Sequence, residues 1–459
     1  MKRNLTIGLL VMATVAVAVP FSIRPFVDTR LVYGLKELHR MADQVKKPSA
    51  EESEAELQEQ LRLARLEGLP TSVAEFEATL LKIKPEDNAA PIYRQLMKLK
   101  PSWDKDPAIA REFIWDSTKE NPEKDRETLE RLKEALALID AATSKPKCLF
   151  DRDWNQGILI IQPEFVHMKA AVKPLFIRAR LSAAEGNHSS ALKDCLAIFR
   201  IGHHARGQHD ILSDLVGEAV RTLGMNALGT LAMRYPAQTL YRQAIDNAVR
   251  EWEVFPRKSA YRYSLVEVLA TIEICSTKEG RATVGIKEQD VLLLGEIMEK
   301  AQPPVLAKAR IVRAMRKRWA AFDAPASKQK DLMQEAEHEF YKALVTFPIA
   351  AKTYESFGAG FDEFLDAPLV SECRQVAWKA FLRAVELPTI PTTIKTDDLL
   401  SPFDKKPVTY KYEKGRIVIE VSAPPAGEGS VRIAIGPRDP VEVERERRNY
   451  EATYKALSK

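Results

Sequence analysis

A chain of 459 residues, 45% hydrophobic and 29% charged, has ample apolar material for a core. Only the stretch around Lys47 to Glu59 is polar enough to suggest local disorder. Its 69 basic and 64 acidic side chains leave a formal charge of +5, too slight over this length to mark a nucleic-acid-binding protein.

The first element is an address. Lys2 and Arg3 precede an apolar run from Leu5 to Ile23, the charged-then-apolar order that export machinery reads, and Ala16-Val17-Ala18 offers a small-residue cleavage site. Val19-Pro20 continues that site awkwardly, and an apolar run of about 18 residues is also long enough to cross a bilayer. Residues 1–27 therefore read as a signal peptide or a signal anchor. The expected location is exported: membrane-anchored through residues 5–23, or secreted and periplasmic.

From about Asp28 to about Leu387 apolar positions recur at helical spacing, broken by proline and glycine at intervals typical of helix connections. Residues 28–145 form an N-terminal helical region. Leu31, Leu35, Leu38 and Met41 mark one stripe; Leu57, Leu61 and Leu66 mark the next, closed by Gly68-Leu69-Pro70. Thr71 or Ser72 is placed to cap the following helix, and Asn88 to cap the helix carrying Ile92, Leu96 and Leu99. Leu129, Leu132, Leu136 and Ile139 predict a single helix from Pro122 to Ala142.

Residues 146–390 read as a helical-hairpin core. Pro163 to Glu185 predicts one helix, Gly186-Asn187 its stop, and Ser189 to Ala205 its antiparallel partner. Ala179, Ala183, Ala184, Gly186 and Ala191 fall where tetratricopeptide-like (TPR-like) repeats place small residues so that two backbones approach closely, although no second copy follows at a fixed period. A further helix, Leu212 to Arg234, contains Gly217, Gly224 and Gly229, whose helix penalty of about 1 kcal/mol each points to close packing. The texture then changes. Residues 391–440 predict a small β module: Val408, Tyr410 and Tyr412 alternate, Lys414-Gly415 turns the chain, Ile417, Ile419 and Val421 return, and Val431 to Ile435 adds a third strand. Residues 441–459 are a charged tail. The predicted fold class is mainly α, an irregular TPR-like array of helical hairpins with a small C-terminal β-hairpin or meander.

Little in the sequence carries chemistry on its face. Cys148, Cys195, Cys275 and Cys373 are too dispersed for a zinc or redox motif. Export would permit up to two disulfides, while buried small hydrophobes are the plainer reading. The densest cluster of catalytic residue types is His203, His204 and His209 with Asp210, Asp214 and Glu218. His203 and His204 point about 100° apart on one helix and Gly207 separates them from His209, so a turn with partly exposed histidines is the simpler reading. Lys308, Arg310, Arg313, Arg316, Lys317 and Arg318, interleaved with Val305, Ile311, Val312, Met315 and Trp319, form an amphipathic basic helix. It is either a solvated face or a surface for anionic membranes or acidic partners. Glu267 and Glu273, on a helix with Tyr261, Tyr263 and Thr271, are six residues apart and form no pair by spacing. No catalytic residue, metal ligand or cofactor is assigned.

Several landmarks occur in an order that carries a resemblance. They are Glu67-Gly68-Leu69-Pro70; Asn88-Ala89-Ala90-Pro91 with Tyr93; Cys148, Trp154 and Pro163; the Ala179 to Gly186 and Ala191 hairpin; Leu215-Val216-Gly217; and Pro402-Phe403, Pro407, Tyr410 and Gly415. The chain resembles exported or membrane-anchored helical proteins of planctomycete-type bacteria, a family of uncharacterised activity. The resemblance implies an envelope protein and no particular chemistry. The C-terminal hairpin is also similar to the closing hairpin of type II secretion pseudopilins. Ser401 stands where those carry an aspartate, and Ala423-Pro424-Pro425-Ala426-Gly427 replaces their acidic ending, so no calcium site carries over.

The function expected from the sequence is a non-catalytic, envelope-associated helical scaffold that binds a protein partner and no nucleic acid. The alternatives are an exported enzyme, such as a hydrolase, whose site assembles from distant residues, and an accessory of a secretion or pilus-like system.

Overall fold

In the computed structural model, residues 48–99, 121–251 except 161, 257–276, 304–324, scattered positions from 328 to 339, 370–386 except 371, 389–423 except 414, and 430–436 are described. The predicted signal peptide or anchor at 1–27, the predicted stripe at Leu31 to Met41 and the charged tail lie outside these residues. Among the described residues no helix is long and apolar enough to cross a membrane.

Ser49 opens α1 (Ala50–Leu66) with a capping box: its hydroxyl accepts from the Glu52 amide while Glu52 accepts from the Ser49 amide. Ser72, rather than Thr71, caps α2 (Val73–Thr79). Asn88, expected to cap α3 (Ala90–Lys98), instead stands one residue before the N-cap, Ala89, and braces the start of the helix from there. Its Oδ1 accepts from the amides of Ala90 (3.1 Å) and Leu149 (3.0 Å) and its Nδ2 donates to the Leu149 carbonyl (3.0 Å), so one side chain ties the start of α3 to the chain 61 residues later.

The single helix predicted from Pro122 to Ala142 is two, α4 (Pro122–Arg131) and α5 (Lys133–Thr143). Leu132, at φ −97° and ψ 9°, interrupts them. The break turns the charged first half against α6 (Glu164–Ala184) while Leu136 and Ile139 stay in the core. Asp125 lies buried on α4 because both its oxygens accept from Arg180 of α6, at 2.8 and 2.6 Å. Periodicity reports only the apolar stripe, and here the stripe continues across a backbone break.

The predicted hairpin is present as α6 (Glu164–Ala184) and α7 (His188–Arg206), with Gly186 at φ +81° and the Asn187 side chain accepting from the Ser190 amide at the turn. Ala179, Ala183 and Ala191 are fully buried in the main core, whereas Ala184 and Gly186 are exposed. α7 stops at Gly207, as the sequence predicts, and α8 (Ile211–Arg234) packs along it, followed by α9 (Thr239–Arg250). Then come α10 (Arg257–Ser276), α11 (Pro304–Ala321) and α12 (372–385). The basic helix α11 is packed against α1. Arg313 pairs with Glu56, the Arg316 Nε donates to Glu67 at 3.0 Å, its Nη1 donates to Gln60 at 2.7 Å, and the Trp319 indole donates to the Glu67 carbonyl at 2.8 Å. Its cations at 313 and 316 therefore face acids of this chain rather than solvent or a membrane.

The β module is a three-stranded antiparallel meander, β1 (Thr409–Glu413), β2 (Arg416–Ser422) and β3 (Ser430–Ile435), in that order. Tyr410 pairs with Ile419, and Ile419 with Ile433. Ile417, Ile419 and Val421 point inward, as their alternation requires, and join the core built by α6, α7, α8 and α12. Buried Ser401 holds the preceding loop: its hydroxyl donates to the Ser422 carbonyl (2.7 Å) and accepts from the Phe403 amide (3.0 Å).

Candidate functional site

The histidine and acid cluster singled out in the sequence is divided by the fold. His203 is exposed. His204 is buried and structural: its Nδ1 shares a hydrogen bond with the Tyr93 hydroxyl (3.1 Å) and its Nε2 lies 3.0 Å from the Lys145 carbonyl. Burial lowers its pKa to about 4, so the ring is neutral. Glu218 pairs with Arg374 of α12 at 2.7 Å, and exposed Glu273 with Lys308. What remains, His209, Asp210 and Asp214, is joined by Glu267 of α10 and by residues from the 148–163 segment.

The corner between α7 and α8 explains how. Gly207 ends α7 and His209 takes φ +63°, a left-handed conformation that costs a residue with a side chain of order 1 kcal/mol. That turn delivers Asp210 as the cap of α8, its Oδ1 accepting from the Ser213 amide at 2.8 Å while the Ser213 hydroxyl answers at the Asp210 backbone. Oδ2 of Asp210 is left buried without a hydrogen-bond partner. One turn on, Asp214 is 1% exposed; the Arg206 Nε lies 3.6 Å from its Oδ1, and neither of its oxygens accepts a hydrogen bond.

The opposite wall is the segment before α6. Gln208 grips it through both ends of its amide, accepting from the Phe150 amide (2.9 Å) and donating to the Cys148 carbonyl (2.8 Å). The segment then makes a 3₁₀ turn, Trp154–Leu159, that presses on α10: a Cβ on Gly157, at φ +50°, would lie 2.7 Å from the Thr271 hydroxyl. Only glycine fits so close an approach in that conformation. Tyr263 donates to the Trp154 carbonyl (3.3 Å), and Phe76, Trp154 and Tyr263 pack with ring centroids 4.6 to 5.1 Å apart. Between these walls Arg152 is held with its side chain 4% exposed, its guanidinium carbon over the rings of Phe150 (5.4 Å) and Phe165 (5.7 Å). Its Nη1 is 3.6 Å from Glu164, whereas its Nε and Nη2 have no hydrogen-bond partner. Gln162 Oε1 and Glu164 Oε2 are likewise buried without one.

Ionisation is displaced throughout. Burial, reinforced by Asp210 and Glu218 and opposed by Arg206, pushes Asp214 up to about 8. Burial, reinforced by Asp210, raises Glu267 to about 8 although part of that residue reaches the surface. Burial also raises Asp210, against Arg152, and lowers His209, with Arg262 adding to the effect. At neutral pH the cluster thus offers proton-bearing carboxyls beside an uncharged imidazole and a charged guanidinium. That is the material of general acid–base work and of polar ligand recognition. Among the described residues no three His, Cys, Asp or Glu converge closely enough to hold a metal ion.

Arg152, Gln162 and Glu164 were not singled out by sequence reasoning. Glu164 had one usable signal: it falls in phase with Met168, Ala171 and Leu175, the buried stripe of α6, where a carboxylate is out of place. Asp214 gives the same signal with Met225, Leu228 and Ala232 on α8. Arg152 sits in a loop and gives none. Elsewhere, a cleft of about 320 Å³ between α8, α12 and β1 is lined by Met233, Pro236, Val385, Ile390 and Tyr412, with no acid or basic group. Cys148, Cys195 and Cys373 are free, buried thiols, the first two pushed far above the ordinary range by burial. No family model matches the chain, and neither a curated protein nor a solved structure matches it.

Proposed function

We propose that this chain works through its interior polar cluster, as an exported protein that binds, and by acid–base chemistry turns over, a small polar ligand. One observation carries the reading. Five side chains from separate stretches of sequence, Arg152, Gln162, Glu164, Asp210 and Asp214, end in buried polar atoms without hydrogen-bond partners. Each such atom costs about 1–3 kcal/mol, more when charged, and a fold has no structural reason to collect them in one place. Sites that recognise or transform ligands do, because the ligand supplies the missing partners.

The test is native mass spectrometry of the full chain extracted gently from its own envelope. A small-molecule adduct on the wild type that is absent from Asp210→Asn supports the reading. A bare mass for both, together with Asp214→Asn no more stable than wild type, overturns it.

A second reading keeps the chain as a non-catalytic helical scaffold with a protein partner, held at the membrane by residues 5–23. The mainly helical fold supports it, as do Leu400 and Phe403, 40% and 45% exposed on the loop before the sheet. Crosslinking in envelope fractions that recovers one partner, lost in a Leu400→Asp, Phe403→Asp variant, would favour it. Carbonate extraction would separate anchor from cleaved leader.

A further inference from the structure

We infer that the interior site is built for a small organic acid that also carries hydroxyl or ammonium groups, its carboxylate on Arg152 and its donors on Asp210 and Asp214. The inference rests on the reading of the cluster as a ligand site and names the class of ligand.

The geometry of Arg152 decides the first half. Nε and Nη2 form one edge of the guanidinium, with two parallel N–H bonds, and both are unpartnered in a side chain that is 4% exposed. A planar two-oxygen anion satisfies that edge in one step, with two charge-assisted hydrogen bonds. Among the described residues no side chain does so: Glu164 approaches the other side, at Nη1, and only to 3.6 Å. The rings of Phe150 and Phe165 beneath the guanidinium carbon fix its plane but accept none of its N–H bonds.

The acids decide the second half. Asp210 has one oxygen committed to the Ser213 amide and one free, and Asp214 has both free of hydrogen bonds. Neither pairs with Arg152, so the unmatched edge and the unmatched oxygens belong to one neighbourhood without satisfying each other. A ligand that accepts at one end and donates at the other completes both. A phosphate is disfavoured, since its second charge would be buried beside the carboxyls of Glu164 and Asp210. A single carboxylate brings one charge to one cation.

The experiment uses the full chain in mild detergent, with glycolate and glycine as probes and acetate and inorganic phosphate as comparators, read by thermal unfolding and by ligand-observed NMR. The expected result is a rise in midpoint with glycolate or glycine, a weaker one with acetate, and none with phosphate. Arg152→Lys keeps the positive charge but loses the two-pronged edge, and should weaken glycolate at least about tenfold, the worth of one charge-assisted hydrogen bond. Equal binding by Arg152→Lys, a phosphate response matching glycolate, or no response to any carboxylate would overturn the ligand class. Should Arg152→Lys fail to fold, Asp210→Asn provides the same comparison, with glycine weakened more than acetate. Loss of the carboxylate response alone, with Asp214→Asn still stabilising the chain, removes this inference and leaves the broader reading of the site standing. Failure of both removes the site.

Discussion

A methyl group added to Gly217 of α8 would lie 2.6 Å from the carbonyl oxygen of Gly202 on α7, and one added to Gly202 would lie 2.9 Å from that of Gly217. The two helices meet backbone to backbone at this crossing. The contact fixes the corner immediately beyond it, where His209, Asp210 and Asp214 stand. Alanine normally improves a helix by about 1 kcal/mol over glycine, so an alanine that lowers stability reports packing alone. Gly217→Ala is expected to destabilise by about 2–3 kcal/mol through overpacking, measured as a fall in urea midpoint at unchanged slope. A neutral or stabilising result would mean that the helices can separate without loss.

The raised carboxyls give a stability signature with a definite sign. Asp214 and Glu267 hold their protons to about pH 8 in the fold, against ordinary values of 3.8 and 4.5. Their contribution is therefore intact below about pH 4. It declines as pH climbs to about 8, because across that window only the unfolded chain ionises, and it is level above. Neutral His204 acts in the opposite sense, weakening the fold as pH drops from 6.5 towards 4, so the informative quantity is the difference between variant and wild type. Asp214→Asn should be more stable than wild type at pH 8, and its advantage should shrink steadily towards pH 5 in parallel denaturation curves. An advantage that is constant with pH would show that Asp214 ionises normally.

Asp125 and Arg180 tie α4 to α6 inside the protein, with side chains 10% and 7% exposed. Asp125→Ala strips the guanidinium of this carboxylate and is expected to cost about 3–5 kcal/mol, whereas replacing both residues with apolar ones of similar volume should recover much of that loss. Chemical denaturation of the two single variants and the double variant measures the coupling. Additive losses would show that the pair is not an interacting unit.

Contacts between α1 and α11 are ionic where most of the interior is apolar. Arg316→Met removes the bonds to Glu67 and Gln60 together. Partly exposed ion pairs contribute modestly, about 1 kcal/mol each, and are screened by salt. Limited proteolysis should therefore cut between α1 and α2 faster in this variant, and faster in wild type at high salt than at low salt. An unchanged cleavage rate in both cases would show that apolar contacts at Leu57 and Ala64 suffice.

Helix-forming stripes, stop signals and the β alternation were legible because each is written in neighbouring residues. Gly186-Asn187 turns the chain where predicted, and Ile417, Ile419 and Val421 face inward as their spacing demands. The break at Leu132 was not legible, since the apolar stripe runs through it and the buried Asp125 to Arg180 pair that holds the first half against α6 spans 55 residues. The site was half visible. His209, Asp210 and Asp214 stood together in sequence, and Glu267 was noted apart from them. Arg152 joins them only because Gln208 clamps the 148–150 backbone, a contact between residues about 60 apart that no local pattern encodes.

The clasp between Glu67 and Arg316 joins residues 249 positions apart. At ribosomal rates of about 5–20 residues per second, the acidic side of α1 emerges roughly ten seconds to nearly a minute before the arginines that answer it. During synthesis that helix is supported by its caps, its Glu59 to Arg62 pair and the Arg65 to Glu75 bridge to α2, and its contact with α11 can close only once residue 316 has emerged. The order of synthesis thus sets the order in which the two sides of this contact become available.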